Sequence, residues 1–142
     1  MPAALFITVV VSHFDTRRTL ANVLRSLGHR VDEAGSAADG LSRLRAAAPD
    51  TLICDIDLLD ASGWDLMRQA QLAPCVFAVA ISMWEEPADR ARSRAVGFKR
   101  HMKTPLHPEE IENALAEAAT WKESHGPADS APVRSWPGSS TS

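Results

Sequence analysis

The sequence predicts an α/β fold, a doubly wound three-layer sandwich in which a five-stranded parallel sheet of order 2-1-3-4-5 is flanked by five helices. Apolar runs such as 5–11 are rich in β-branched residues and lack alternating polar positions, as is typical of strands covered on both faces. Stretches with helical apolar spacing separate these runs. Their alternation over about residues 5–121 implies parallel strands joined by right-handed helical crossovers.

The first half of the chain predicts three strands and two helices. Asp15 and Ser36 are residue types that cap helix N-termini, and Gly28 is the type that ends a helix. Pro49 breaks the second helix. In chain order, the predicted elements are a strand over 5–11, a helix from Asp15 to Gly28, a short extended piece over 29–34, a helix from Ser36 to Pro49 and a strand over 51–54 that ends at Asp55.

The second half predicts three helices and two strands. Pro87 suits the first turn of a helix, and Gly97 suits its end. Glu109 and Glu110 place negative charge at the positive end of the last helix. The predicted elements are a helix over 64–71 opened by Gly63, a strand over 75–81, a helix over 87–96, a strand over 98–103 and a helix from Pro108 to about residue 121.

Composition favours one folded domain, residues 1–121, followed by a disordered tail, residues 122–142. Hydrophobic residues make up 45% of the 142 and charged residues 23%, values usual for a single globular domain. Of the last 21 residues, 11 are Ser, Pro or Gly, which cannot support a packed element. Trp136 within this tail is either incidental or a small docking anchor.

Charge and hydropathy exclude two classes of partner. A net charge of −3 argues against nucleic acid, which requires a clearly basic surface. No stretch approaches the roughly 18 apolar residues of a membrane span. Cys54 and Cys75 lie in apolar runs without metal-ligand spacing, as expected of reduced, buried thiols in a cytoplasmic protein.

Functional groups of an open α/β sheet collect beyond the carboxyl ends of its strands. This rule selects five polar residues: Ser12 and His13 after the first strand, Asp55 after the third, Ser82 after the fourth and Thr104 after the fifth. Asp55 is the most informative of these, because it ends a buried run and precedes a turn that leads into a helix.

The segments 15–18, 49–56, 95–98 and 105–111, together with the spacing from Asp55 to Gly63, resemble the receiver domains of two-component response regulators. The resemblance covers residues 5–120. It implies that Asp55 accepts a phosphoryl group from a histidine kinase, that Ser82 is the hydroxyl ending the fourth strand, and that the Thr104–Pro105 peptide bond is cis. It also implies a protein partner, such as a histidine kinase or another signalling protein.

Two departures from the family affect the Mg²⁺ site. The paired acids that follow the first strand in the family fall here on Val11 and Ser12. Mg²⁺ needs near-octahedral oxygen ligands and usually one or two carboxylates. Asp55 stays in place, and Asp57 could only partly substitute for the missing acids. No metal and no cofactor is therefore expected, and Mg²⁺ only if the domain is active.

Other departures affect the phosphoryl pocket and the switch. Thr104 occupies the position of the family's lysine, while Lys103, one place earlier, is expected to face away from Asp55. Met83 replaces a small residue and is expected to crowd the approach to Asp55. The aromatic switch position holds His101.

Several residues have a simpler alternative interpretation. Asp55 could be only a loop acid or a helix cap, and Ser82 an ordinary strand-end hydroxyl. His13 and His101 are expected to be partly exposed histidines and not metal ligands, because no third ligand lies at suitable spacing. A basic cluster is either a solvated helix face or a partner surface; its members are Arg90, Arg92, Arg94, Lys99, Arg100 and Lys103.

Three functional hypotheses follow. The first is a pseudo-receiver that acts by protein–protein interaction without the usual phosphorylation. The second is an active receiver phosphorylated on Asp55. The third, a small enzyme, is disfavoured because no Gly-rich phosphate loop follows the first strand and no nucleophile–base pair is evident. Since no output domain follows residue 121 in this sequence, output is expected to pass through another protein or through a surface of this one.

Overall fold

The computed structural model describes residues 4–83 and 86–125, and this part of the chain forms five strands that alternate with five helices. All neighbouring strands pair in parallel, in the order β2-β1-β3-β4-β5, which confirms the predicted fold. The strands are β1 (Phe6–Val10), β2 (Arg30–Ala34), β3 (Thr51–Asp55), β4 (Phe77–Ser82) and β5 (Arg100–Lys103). The helices are α1 (Phe14–Ser26), α2 (Ala37–Ala46), α3 (Gly63–Ala70), α4 (Pro87–Ala95) and α5 (Pro108–His125).

Both faces of the sheet are buried, as the unbroken apolar strands predict. Val10, Leu52 and Ala80 point to one side, where they pack with side chains of α2 and α3. Val9 and Ile53, one residue out of phase, pack with side chains of α1 and α5 on the other side. The alternation of side chains along each strand therefore divides the core into two layers.

The start of α1 differs from the prediction. His13, and not Asp15, is its N-cap, and the His13 Nδ1 accepts a hydrogen bond from the Thr16 amide at 3.3 Å. Asp15 lies inside the first turn, where its charge still favours the helix N-terminus. The prediction of an Asp15 cap was wrong because β1 ends at Val10 and the chain enters the helix earlier than the sequence pattern suggests.

The last helix extends to His125, so the predicted boundary between residues 121 and 122 lies four residues too early. Side chains near the helix end explain the extension. The centroid of the Trp121 ring lies 6.0 Å from the centroid of the Phe77 ring, and the Trp121 Nε1 donates a hydrogen bond to the Pro74 carbonyl at 2.9 Å. Lys122 pairs with Asp50 at 3.1 Å. Residues 126–142, which include Trp136, lie outside the described residues.

Three smaller predictions concern backbone and thiols. The Thr104–Pro105 peptide bond is cis, which confirms the prediction. Cys54 and Cys75 are free and buried, as predicted. None of the described helices is long and apolar enough to cross a membrane.

Candidate functional site

The carboxyl edge of the sheet brings several predicted site residues to one cavity. Register places Val10 beside Cys54 and Asp55 beside Ile81, so the chain segments that leave β1, β3 and β4 emerge together. A cavity of about 620 Å³ opens between this edge, α1 and the start of α5. The predicted site residues in its lining are Val11, His13, Asp55, Met83, Thr104 and Pro105.

Asp55 is half-buried at this edge of the sheet, and its surroundings mainly disfavour the ionised carboxylate. Burial raises the pKa of Asp55, and the neighbouring charge of Asp57 adds to that effect. The Asp57 amide opposes both by donating a 3.0 Å hydrogen bond to Asp55 Oδ1. Asp55 is thus a carboxyl group whose ionised form has one backbone donor and incomplete access to water.

We expect Asp55→Asn to raise the thermal midpoint by a few degrees at pH 7 and to leave it nearly unchanged near pH 3.5. The pKa of an aspartate in the unfolded chain is about 3.9, and the pKa of Asp55 in the folded state is higher. Between these two pKa values the folded state binds more protons than the unfolded state. Ionising Asp55 as the pH rises therefore lowers the free energy of unfolding. Melting curves at both pH values test this. The exposed Glu112→Gln is the control, and equal gains for both variants would contradict the burial argument.

The loop that follows Asp55 is fixed by close backbone packing. Gly63, the first residue of α3, donates its N–H to the Ile56 carbonyl at 2.9 Å. A Cβ on Gly63 would lie 2.6 Å from the Asp55 carbonyl oxygen and 3.2 Å from the Cys54 Sγ. Only glycine fits this approach, so the spacing from Asp55 to Gly63 has a steric cause.

The same loop is also tied to two neighbouring elements. The Ser12 Oγ accepts a hydrogen bond from the Leu59 N–H at 3.1 Å, while the Leu59 side chain is 90% exposed. Asp60 accepts from the Ala37 and Ala38 amides at 2.8 and 3.0 Å, at the start of α2. These amide bonds hold the pKa of Asp60 below its usual range. Sequence reasoning missed this role of Asp60, because its partners are 22 and 23 residues away.

Few carboxylates lie at this edge among the residues that the structure describes. Val11 is 1% exposed and belongs to the apolar cluster under α1 and α5, and the Ser12 hydroxyl already accepts from Leu59. The carboxylates near this edge are those of Asp55, the exposed Asp57 and Asp15, which lines the same cavity as Asp55. Within residues 4–83 and 86–125, no group of three or more His, Cys, Asp or Glu side chains is placed to hold a metal ion.

The remaining pocket positions lie at the ends of β4 and β5. Ser82 is buried and pairs in register with Lys103, and its carbonyl accepts from the Thr104 N–H at 2.9 Å. Thr104 lines the cavity together with Asp55, whereas Lys103 is exposed and does not. Met83 is 63% exposed at the cavity mouth.

The basic cluster surrounds α4 and the start of β5. The guanidinium of Arg92 lies 4.2 Å from the centroid of the Trp64 ring, and Trp64 Nε1 donates to the Ser93 Oγ at 2.9 Å. Arg100 pairs with Glu117 at 2.8 Å. The Lys99 Nζ lies 5.2 Å from the centroid of the Trp121 ring of α5. The sequence did not indicate the role of Trp64, which links α3 to α4 through these two contacts.

His101 and two arginines of the cluster meet in a second cavity. His101, the predicted switch position, is half-buried on β5. It lines a cavity of about 270 Å³ together with Arg90 and Arg94 of α4. This cavity is separate from the Asp55 cavity, because none of its lining residues lines the other.

One protein family matches most of the chain. The family described as response regulator receiver domain matches residues 7–116. The chain is 28% identical over 112 residues to an uncharacterized 14.6 kDa protein in the sodA1 3′ region of Leptolyngbya boryana, covering 77% of this chain and 86% of that protein. It is 29% identical over 94 residues to the transcriptional regulatory protein CreB of Escherichia coli (strain K12), covering 66% of this chain but only 41% of CreB.

Among solved structures, a receiver domain protein (CheY-like) from Methanospirillum hungatei JF-1 superimposes with a TM-score of 0.81. The match covers 87% of this chain and 100% of that chain at 19% sequence identity. At that identity the likeness shows the fold alone.

Proposed function

Because the chain belongs to the response regulator receiver domain family, the signalling modules of two-component systems, we propose that it is a pseudo-receiver that acts by protein–protein interaction without Mg²⁺-dependent phosphorylation. It is then a binding module and not an enzyme. We place it in the cytoplasm, and the two free thiols support this, since disulfides are rare there.

The observation that carries the proposal is the donor set around Asp55. Phosphoryl transfer to a carboxylate brings anionic oxygens together, so cations must offset the charge in the transition state. In this chain, a buried Val11 and a hydrogen-bonded Ser12 stand where the family has acids, and Thr104 faces the cavity where the family has lysine. Threonine can donate a hydrogen bond but supplies no charge.

We expect no saturable change in the ¹H–¹⁵N NMR spectrum when Mg²⁺ is added to about 10 mM, because about two carboxylates bind this ion only weakly without substrate phosphate. Adding beryllofluoride, a phosphoryl mimic, should also leave the amides of Asp55, Asp57 and Ser82 in place. A receiver domain that has both acids and the lysine serves as the positive control. Saturable shifts at these three amides would sink the pseudo-receiver proposal.

The basic cluster is the surface that we propose for the protein partner. Arg90 and Arg94 lie four residues apart on α4, so they share a helix face, and both are exposed. Replacing both with glutamate is expected to weaken binding to an acidic partner, and more strongly at low salt, because ions screen exposed charges. Binding measured by calorimetry at two salt concentrations tests this, and unchanged affinity at both would make the cluster a solvated face.

One alternative is an active receiver phosphorylated on Asp55 by a histidine kinase. It is favoured by the position of Asp55 at the carboxyl edge, with Ser82 at the end of the neighbouring strand and Thr104 in the same cavity. The NMR titration separates the two proposals.

A further inference from the structure

The Asp55 cavity is a cleft between α1 and the start of α5. Five residues of α1 line it, at the spacing of one helix face: Asp15, Thr16, Thr19, Leu20 and Val23. Pro108 and Ile111, three residues apart, line it from the first turns of α5. Asp55 and Thr104 line the end at the sheet edge. The cavity therefore has walls from two helices and from the carboxyl edge of the sheet.

Much of the wall of this cavity is apolar. Leu20 and Ile111 are buried and belong to the apolar cluster on this side of the sheet, and Leu106 packs against the same cluster. Val23 is half-buried. The volume of about 620 Å³ lies within the range of about 300–1,000 Å³ that is usual for sites that bind small molecules. Size and lining are therefore those of a small-molecule site with an apolar part.

The charged side chains in the lining are negative. Asp15 and Asp55 line the cavity, and no lysine or arginine does so in the part of the chain that the structure describes. The ion pairs between described residues involve neither of these two carboxylates. Arg17, the arginine nearest to Asp15 in sequence, lies outside the lining and pairs with Glu33 at 3.5 Å. A cationic group would therefore complement this lining.

The helix N-termini at this edge do not supply that complement. Each helix N-terminus carries a partial positive charge of about half a unit, and α1 and α5 both begin beside the cavity. Asp15 in the first turn of α1 offsets one of these partial charges, and Glu109 and Glu110 in the first turn of α5 offset the other. The charge of the Asp55 carboxylate therefore remains unbalanced in the lining.

The charged part and the apolar part of the cavity lie at different ends. α1 begins where β1 ends, so Asp15 in its first turn lies at the same edge of the sheet as Asp55 at the end of β3. Val23 follows Asp15 by eight residues, which is about 12 Å along the helix axis. A ligand that joins a cationic group to an apolar body would match both ends.

We propose that the Asp55 cavity binds a small organic amine, a molecule in which an ammonium group is joined to an apolar body. The ammonium group would donate a hydrogen bond to the Asp55 carboxylate, and Asp15 would add Coulomb attraction. The apolar body would lie against Leu20 and Ile111. At about 30 Å³ per water molecule, the cavity corresponds to roughly 20 waters, so a ligand of roughly 10–20 non-hydrogen atoms fits. This inference goes beyond the proposed function and does not rest on it.

Titrations followed by ¹H–¹⁵N NMR at pH 7, with EDTA present to remove metal ions, test the proposal. The probes are tryptamine and 4-phenylbutylamine, two amines with aromatic bodies. We expect saturable shifts at the amides of Thr19, Leu20 and Ile111. Indole-3-ethanol, which has a hydroxyl in place of the ammonium of tryptamine, should bind at least tenfold more weakly, because it lacks the charge-assisted contact. Indole-3-propionate, which carries a negative charge, should not compete with tryptamine.

Two pairs of variants locate the site. Asp55→Asn should weaken tryptamine binding at least tenfold and leave the binding of indole-3-ethanol unchanged. Its control, Glu112→Gln, removes the same charge outside the cavity and should change the affinity less than twofold. Thr19→Trp fills the cavity from an exposed position on α1 and should abolish the binding of both amines. Its control, Asn22→Trp, adds the same side chain at an exposed position of α1 outside the lining and should have no effect.

Three outcomes would overturn the proposal: no saturable binding of either amine, equal affinity for tryptamine and indole-3-ethanol, or equal losses in Asp55→Asn and Glu112→Gln. If Thr19→Trp does not fold, this last comparison decides by itself. The pseudo-receiver proposal is tested by Mg²⁺ and beryllofluoride without amine. A negative amine titration therefore leaves that proposal intact, and Mg²⁺ binding would leave an amine titration in EDTA unaffected.

Discussion

Replacing Val11 and Ser12 with aspartate and Thr104 with lysine is expected to raise the rate of Asp55 phosphorylation by acetyl phosphate roughly 10⁴-fold. Each preorganised electrostatic contact to a transition state contributes about 10²–10³ in rate, and the substitutions restore two, a metal site and a lysine. Intact-protein mass spectrometry after incubation with acetyl phosphate and Mg²⁺ measures the added phosphoryl group.

The structure supports the design of these substitutions at two positions and limits it at one. An aspartate at 12 can still accept the hydrogen bond from the Leu59 amide, and Thr104 already faces the cavity that Asp55 lines. Val11, however, is buried among apolar side chains, so Val11→Asp places a carboxylate in the core and costs stability unless a cation compensates.

Two controls address this cost. The double variant Ser12→Asp/Thr104→Lys leaves Val11 in place and should gain a smaller part of the rate. Asp55→Asn in the triple variant should abolish the added mass. If the unmodified protein were phosphorylated as fast as the triple variant, the missing acids and lysine would not limit the reaction, and the active-receiver alternative would replace the pseudo-receiver.

Gly63→Ala is expected to destabilise the domain by about 1–3 kcal/mol, the usual cost of overpacking. The new methyl group would meet the Asp55 carbonyl oxygen at 2.6 Å, and backbone on that side cannot move without shifting the end of β3. For a domain of this size the loss lowers the thermal midpoint by roughly 5–10 °C. Thermal melts followed by circular dichroism measure it.

Gly28→Asn is the matched control for this substitution. Gly28 has a φ of +95°, but no atom lies within 4 Å of the place that a Cβ would take, and asparagine tolerates the left-handed region better than other residues. Any side chain at this φ is strained, so we expect a loss from the backbone alone that is smaller than the loss in Gly63→Ala. Equal losses for both variants would mean that general glycine conformational freedom, and not the close approach at Asp55, explains the cost.

The sheet, the strand order and the position of Asp55 were predictable from the sequence because their signals are local or follow from topology. Buried β-branched runs and helical spacing specify β1 and α1 within a few residues, apart from which polar residue caps the helix. The stacking of Arg92 on Trp64 joins residues from different helices, and no local pattern indicates it.

The end of α5 could not be predicted from the sequence either. Ser, Pro and Gly content predicts a tail from residue 122, but the helix continues because Lys122 pairs with Asp50, 72 residues earlier. Composition averages over a window and carries no information on such a partner. Asp60, which caps the start of α2 from another loop, is missed for the same reason.

The hydrogen bond from Leu59 to Ser12 has a consequence for recognition. Leu59 is a large apolar side chain with 90% of its surface exposed, on a loop that Ser12 and Asp60 hold from two sides. Presenting such a side chain from a flexible loop would cost conformational entropy at each encounter with a partner. Here the backbone of the loop is ordered during folding. A protein that binds the Leu59 side chain therefore has little further loop ordering, and little conformational entropy, to lose.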